Sequence, residues 1–237
     1  MTLRLSTELV QQLMGVPVTI TSTAILVPAG AASYEITGGT TFITAGFRPG
    51  MIVKADGFAA DDNDVYSLVT IVATDGLELT VTVSDHDQLV AAAASPSVTI
   101  LAVAQSFKEI FLYGVLCIYT GSQPATADIA PTGTKLLEIT EASGAFVAGA
   151  VGNGLSWDAP IAGVLGKDST VWSDAGLATG TAGWFRFYAN DFDTAANALC
   201  FDGAVGTSGA ELNLSSTAIV LAATTTIDEF EVTLPMV

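Results

Sequence analysis

Short runs of Val, Ile, Thr and aromatic residues, each stopped by a cluster of Gly, Asp, Asn or Pro, recur along almost the whole of this 237-residue chain. That punctuation marks many short strands. β-branched and aromatic side chains fit a pleated, half-buried surface, whereas Gly, Asp, Asn and Pro favour turns. In the first half the runs are "VTITSTAILV", "SYEITG", "MIVKADGF", "YSLVTIVAT", "LELTVTVS" and "SVTILAVA". In the second they are "LCIYT", "KLLEIT", "FVAGAV", "LSWDA", "GWFRFYA", "ALCFDGAVG", "ELNLSS" and "TTIDEFEVTLP". The Asp75-Gly76 pair in "ATDGLELTV" predicts a hairpin closed by a tight two-residue turn, which demands positive φ angles. Two stretches read as short helices instead. "STELVQQLMG" offers Ser6 or Thr7 as cap, Leu9 and Leu13 on one apolar face, and Gly15 with Pro17 as the stop. "SFKEIFLYG" offers Ser106 as cap, Glu109 to complete a capping box and Gly114 as the stop.

These helical stretches bracket the whole first set of β runs. The arrangement predicts a discontinuous main domain, residues 1–16 and 106–237, with residues 17–105 as an inserted β-rich domain. Insertion into an exposed loop is tolerated because the ends of such a module lie close together. The expected fold is mostly β: a β-sandwich or jelly-roll-like main domain, an inserted small β-barrel-like domain, and one or two short helices.

Composition narrows the function. Half of the residues are hydrophobic and the mean hydropathy is +0.56, enough for a sizeable core. The longest apolar runs, such as "LVAAAASPSVTILAVA", are broken by Ser, Pro and Thr before the ~20 residues that a spanning helix needs. The opening "MTLRLSTELVQQLMG" carries Arg, Glu and Gln where a signal peptide has an unbroken apolar region, so neither a membrane partner nor secretion by that route is expected. Seven Lys and Arg stand against 24 Asp and Glu, for a net charge of −17, and the cations are scattered singly. Direct nucleic-acid binding is therefore not expected, because affinity for a phosphate backbone depends on clustered cations that release counterions.

The search for reactive groups yields little. His86, between Asp85 and Asp87, is the only histidine, so a two-histidine metal site is excluded and the turn reads as a solvated acidic surface. Asp61, Asp62, Asn63 and Asp64 carry oxygens that suit calcium but lack the Gly and distant Glu of a helix–loop–helix site, and Asp191 with Asp193 is a comparably thin candidate. No metal or cofactor is expected. The "GNG" at Gly152 to Gly154 reads as a turn, and the sequon at Asn213 to Ser215 carries no weight without a secretory signal. Cys117 and Cys200 lie in apolar runs and read as buried free thiols. No catalytic constellation emerges, and the chain is not read as an enzyme.

Two features point to contact rather than chemistry. In "CIYTGSQPATADIAPTGTKLLEIT", Pro124 and Pro131 favour extended backbone among small residues with little side-chain entropy to lose. Ser122 to Thr132 therefore reads either as an arm lying along a neighbouring subunit or as a surface loop of one domain. In "GWFRFYAN", Trp184, Arg186 and Tyr188 share one strand face and Phe185 and Phe187 the other. Neither face is wholly polar, so this strand lies between two packed layers or at an interface. Pro124, Pro131, Trp184, Phe185, Phe187 and Tyr188 are the candidate subunit-interface residues. Trp157, Trp172 and Trp184 raise an alternative, a platform for sugar rings, which would stay exposed beside a shallow groove.

The segments "MTLRLSTELVQQLMG", "SFKEIFLYGVLCIYTGSQPATADIAPTGTKLLEIT" and "GWFRFYANDFDTAANALCFDGAVGTSGAELNLSSTAIVLAATTTIDEFEVTLP" together resemble a family of tailed-bacteriophage virion proteins. That family combines an "RLST" start and short helix with an "IYSG-PA-AD-AP-GT-L" run, a "W-RFYA" strand and an "SGAELNLSS" segment. Its shorter members join the first two pieces almost directly, in keeping with an insertion. Within the insert, "FITAGFRPGMIVKADGF" and "YSLVTIVATDGLELTVTV" resemble small β-barrel modules of phage virion proteins. The resemblance implies a structural virion component, assembled in the host bacterial cytoplasm and located in the tail or neck or on the capsid surface. Its implied partners are further copies of itself and other virion proteins. The alternative, raised by the three tryptophans, is a receptor- or glycan-binding virion module. The resemblance carries no catalytic residue over.

Overall fold

A computed structural model describes residues 3–13, 17–83, 89–94, 97–103, 106–190 and 199–233. The acidic turn around His86 and the Asp191–Asp193 pair lie outside the described residues.

The chain opens with strand β1 (Arg4–Leu5) and helix α1 (Thr7–Leu13). Ser6 Oγ accepts a hydrogen bond from Leu9 N at 3.2 Å, which makes Ser6 the cap. Seven strands follow: β2 (Thr19–Ser22), β3 (Ile25–Leu26), β4 (Ser33–Ile36), β5 (Ile52–Asp56), β6 (Tyr66–Val72), β7 (Glu78–Val83) and β8 (Val98–Ala102). They pair antiparallel in the order β2-β8-β5-β6-β7-β4-β3. The two ends of that row, β2 and β3, are joined in sequence by Thr23 and Ala24 alone, so the sheet curls until its edges nearly meet. The resulting barrel is filled from inside by Tyr34, Phe42, Phe47, Met51, Val69 and Ile100, among others.

The hairpin between β6 and β7 forms, but with a wider turn than the Asp75-Gly76 pair predicts. Gly76 N donates to Ala73 O at 2.8 Å and Ala73 N to Glu78 O at 3.0 Å, so Ala73 to Gly76 makes a four-residue turn. Gly76 alone takes the left-handed conformation there, at φ +72°. Its carbonyl is recruited by Phe42 N at 2.8 Å, and a Cβ at this position would lie 2.8 Å from Thr41 Oγ1. Packing of the neighbouring loop thus sets the turn.

Helix α2 (Phe107–Ile110) begins with the full capping box: Glu109 N donates to Ser106 Oγ at 3.3 Å and Ser106 N donates to Glu109 Oε2 at 2.6 Å. Ten strands follow: β9 (Val115–Thr120), β10 (Lys135–Glu141), β11 (Val164–Gly166), β12 (Trp172–Ala175), β13 (Gly180–Tyr188), β14 (Cys200–Gly206), β15 (Leu212–Asn213), β16 (Ala218–Ile219), β17 (Thr224–Ile227) and β18 (Glu231–Thr233). The large sheet runs β1-β14-β13-β9-β10-β12-β17, with β15 beside β14 and β16 beside β13; β11 and β18 form a separate pair. One face of this sheet carries a core of stacked and edge-on aromatics, in which Phe187 lies 5.3 Å from Phe201 and 5.1 Å from Trp157. Leu9 of α1, Ile110 of α2 and Val232 of β18 close that core.

The fold is therefore mostly β, a sandwich-like body with a small barrel and two short helices. Residues 19–102 supply every strand of the barrel, and residues 4–5 with 115–227 supply the large sheet. Between them runs a seam. "FVAGAV", which reads as a strand in sequence, makes only an isolated bridge from Ala150 to Ile71. Its backbone is occupied elsewhere: Gly149 O accepts from Val72 N at 2.6 Å, and Gly149 N and Ala150 O bond the Asn190 side chain. A second tie joins Arg48 Nη2 to Gln12 Oε1 of α1 at 2.8 Å. "TTIDEFEVTLP" also departs from a single strand. It breaks at Asp228–Phe230, which lets Ile227 and Phe230 both face the core although they are three residues apart.

Candidate functional site

The most distinctive chemistry lies on the outer face of the large sheet. Arg186 of β13 and Asp202 of β14 occupy opposed register positions, both side chains are fully buried, and Arg186 Nη2 donates to Asp202 Oδ2 at 2.9 Å. Two further donors reach the other carboxylate oxygen: Arg4 Nε at 3.2 Å and Gln123 Nε2 at 2.6 Å. Arg186 is also framed by aromatic faces, its guanidinium carbon lying 5.3 Å from the Trp184 ring and 6.0 Å from the Tyr188 ring. Burial works against its charge, but the Asp202 bond and the surrounding groups outweigh it, and its pKa is raised.

The sheet uses this network to hold the segment that follows β9. Arg4 Nη1 donates to Ala125 O at 2.7 Å, Cys200 Sγ to Ala127 O at 3.5 Å, and Arg186 Nη1 to Ile129 O at 2.9 Å. From α1, Thr7 N and Thr7 Oγ1 both donate to the Asp128 carboxylate, at 2.6 and 2.8 Å. The ends of the segment are pinned as well, since Thr120 N donates to Thr134 O and Thr134 N to Thr120 Oγ1. Gly133, at φ +84°, faces the Thr120 carbonyl so closely that no Cβ fits there. The arm is thus a closed loop strapped over its own sheet, held through three of its backbone carbonyls and through the side chains of Gln123 and Asp128.

Each candidate interface residue has a definite place. Trp184, Phe185, Phe187 and Tyr188 are 0%, 0%, 0% and 3% exposed within the single chain. This corrects the interface reading of that strand: Phe185 and Phe187 belong to the aromatic core, while Trp184 and Tyr188 lie beneath the arm with Cys117, Tyr119 and Cys200, packed against Ala127 of the arm. β13 lies between two packed layers, the other outcome its residues allowed. Pro124 is buried and Pro131 half-buried. The sugar platform fares no better, because Trp157, Trp172 and Trp184 are buried at 4%, 0% and 0% exposure.

Asp202, Gln123 and Asp128 escaped the sequence reading. A signal was present: Asp202 sits in the apolar run "ALCFDGAVG" as Arg186 sits in "WFRFY", and a charge inside an apolar strand needs a partner. Arg186 Nε and Trp184 Nε1 are buried with no acceptor among the described residues.

The remaining candidates serve the fold. Asp64 accepts from Gly57 N at 3.0 Å and Phe58 N at 2.9 Å, and the buried Asn63 exchanges two 2.8 Å bonds with Val90, so both shape the loops beside β5. No group of three or more metal-ligating side chains occurs among the described residues. Cys117 and Cys200 are buried and free, and burial pushes each thiol up to about 12, which leaves them protonated and unreactive at neutral pH. What this face does chemically is hold an arm in place with a buried ion pair. No protein-family model matches the chain, and neither a curated protein nor a solved structure matches it.

Proposed function

We propose that this chain is a structural subunit of a tailed-bacteriophage virion, self-associating through β-rich surfaces, in the tail or neck or on the capsid surface. One observation carries the reading. Three of the sequence segments that resemble virion proteins, far apart in the chain, converge at the strapped arm: "RLST" contributes Arg4 and Thr7, the "GSQPATADIAPTGT" run is the arm, and "GWFRFYA" contributes Arg186. Their shared residues build a rigid scaffold, as a subunit placed by contact requires. The receptor- or glycan-binding alternative rested on exposed tryptophans, and their burial removes its support.

The reading is tested by purifying the virions whose genome encodes the chain and quantifying it by mass spectrometry. Multiple copies in fixed ratio to the other virion proteins are expected. Particles free of the chain would overturn the reading. Electron microscopy of particles made with and without it then assigns tail, neck or capsid surface.

A further inference from the structure

The chain crosses between the barrel and the large-sheet body twice, once between α1 and β2 and once between β8 and α2. Two crossings alone make a hinge, because the joined parts can still turn about the line through them. The seam beside the crossings opposes that turn with three ties, each on a different barrel segment and a different segment of the body. In the first, Arg48, 1% exposed in the loop before β5, donates from Nη2 to Gln12 Oε1 of α1 at 2.8 Å. The second is close packing. Gly50, at φ +85°, lies so near the segment after α2 that a Cβ on it would be 3.4 Å from Leu112 Cδ2 and 3.5 Å from the Tyr113 ring. The third lies at the end of β6, where Ile71 forms a bridge with Ala150 and Val72 N donates to Gly149 O at 2.6 Å. That tie depends on one side chain. Gly149 and Ala150 belong to no strand, and Asn190 holds them, accepting from Gly149 N at 2.8 Å and donating to Ala150 O at 2.5 Å. A carboxamide carries the donor and acceptor of a peptide group. Asn190 stands two residues beyond β13 and is 0% exposed, so its amide continues the bonding of the large sheet by one unit and passes it to β6 of the barrel.

We propose that these ties hold the barrel at one fixed orientation to the large sheet, and that Asn190 is the residue that positions it. A fixed joint does not require a shared core. Three ties on separate segments remove the rotation that two crossings leave, and a tie that opens is kept close to its partner by the other two, so that it closes again as an intramolecular event. The inserted barrel is therefore a rigid spacer, with its outer face set at a constant angle to the large sheet.

The distance between two spin labels, measured by pulsed electron paramagnetic resonance on the intact chain, tests this. Asp56→Cys on β5 and Thr226→Cys on β17 put the labels at exposed sites in the two parts, and the buried native thiols, pushed up to about 12, do not compete for the reagent. One narrow distance distribution is expected. Adding Asn190→Ala should broaden it roughly twofold while circular dichroism stays unchanged, and Gln12→Ala, which removes only the Arg48 tie, should broaden it less. Asn190→Asp keeps the shape and the bond from Gly149 N but loses the donor to Ala150 O, and should broaden it too, a reading that does not depend on the Ala variant folding. A broad or several-peaked distribution in the labelled chain with Asn190 intact would overturn the fixed joint. A distribution that stays narrow in a folded Asn190 variant would overturn the role of Asn190 alone.

Discussion

The barrel and the large-sheet body solve the same problem in different ways. The barrel removes its edges by curling, so it needs cover on its inner face only, and Tyr34, Phe42, Phe47 and their neighbours provide it. The large sheet stays open and is covered on both faces, by the aromatic core on one and by the strapped arm on the other. The difference shows when β13 is set beside β5 and its neighbours. In the large-sheet body even Trp184 and Arg186 are 0% exposed, because both faces of β13 are consumed by the fold. In the barrel, alternation leaves Ile52, Leu68 and Leu101 pointing outward, 44%, 40% and 40% exposed.

The comparison breaks most readily at the clamp. Replacing Asp202 by Ala leaves Arg186 buried and unpaired, and is expected to destabilise the large-sheet body by about 3–5 kcal/mol. All three tryptophans, at 157, 172 and 184, lie in that body, so tryptophan fluorescence follows it alone during denaturation. A transition that does not move would mean that the ion pair is not what holds the arm.

Excising residues 17–104 and closing the gap with a short Gly/Ser linker sharpens the comparison from the other side. The two cores share no residue, and the ties across the seam include the Val72–Gly149 and Arg48–Gln12 hydrogen bonds. At about 0.5–1.5 kcal/mol per bond, the remainder should lose roughly 1–3 kcal/mol and stay folded. An unfolded remainder, read by circular dichroism, would mean that barrel and sheet stabilise one another as one unit.

Alkaline pH probes the arm side through its two buried thiols. Burial opposes the thiolate and pushes Cys117 and Cys200 up to about 12, from an ordinary value of 9.0. Between those values the unfolded chain releases protons that the folded chain keeps, so stability is complete below pH 9 and falls as pH rises towards 12. The melting temperature should decline over that interval, and Cys117→Ala should flatten the decline; an unchanged slope would contradict burial of the thiol.

The smallest expected effect concerns the arm itself. Pro124→Gly and Pro131→Gly enlarge the unfolded ensemble at a cost of about 0.4–1 kcal/mol each. Because the arm lies on its own sheet, that loss should appear in the melting of the monomer. Assembly that weakens while the monomer melts unchanged would place the arm on a neighbour.

Much of the fold was legible because its signals are local. The Ser106–Glu109 capping box lies within four residues, and the division of Trp184 and Phe185 between opposite faces follows from strand alternation. What escaped depends on register and on distant partners. Nothing local in "FVAGAV" says that Asn190 and Val72 take its hydrogen bonds. Nor does any short-range pattern tell that the arm returns over β13 and β14, because Arg186 and Asp202 meet only once those strands are paired. The aromatics of "GWFRFYA" read equally as core or interface for the same reason: alternation assigns faces but does not say what covers them.

The central claim is that the arm face of the large sheet is spent on the fold of the single chain. Hydroxyl-radical footprinting of the intact chain, dilute and then concentrated enough to self-associate, tests it most directly because it reads side-chain exposure. Trp184 and Tyr188 should stay unreactive at every concentration, while Ile129 of the arm, 44% exposed, keeps its reactivity. Reactive Trp184 and Tyr188 in the dilute chain, or protection of Ile129 on concentration, would contradict the account.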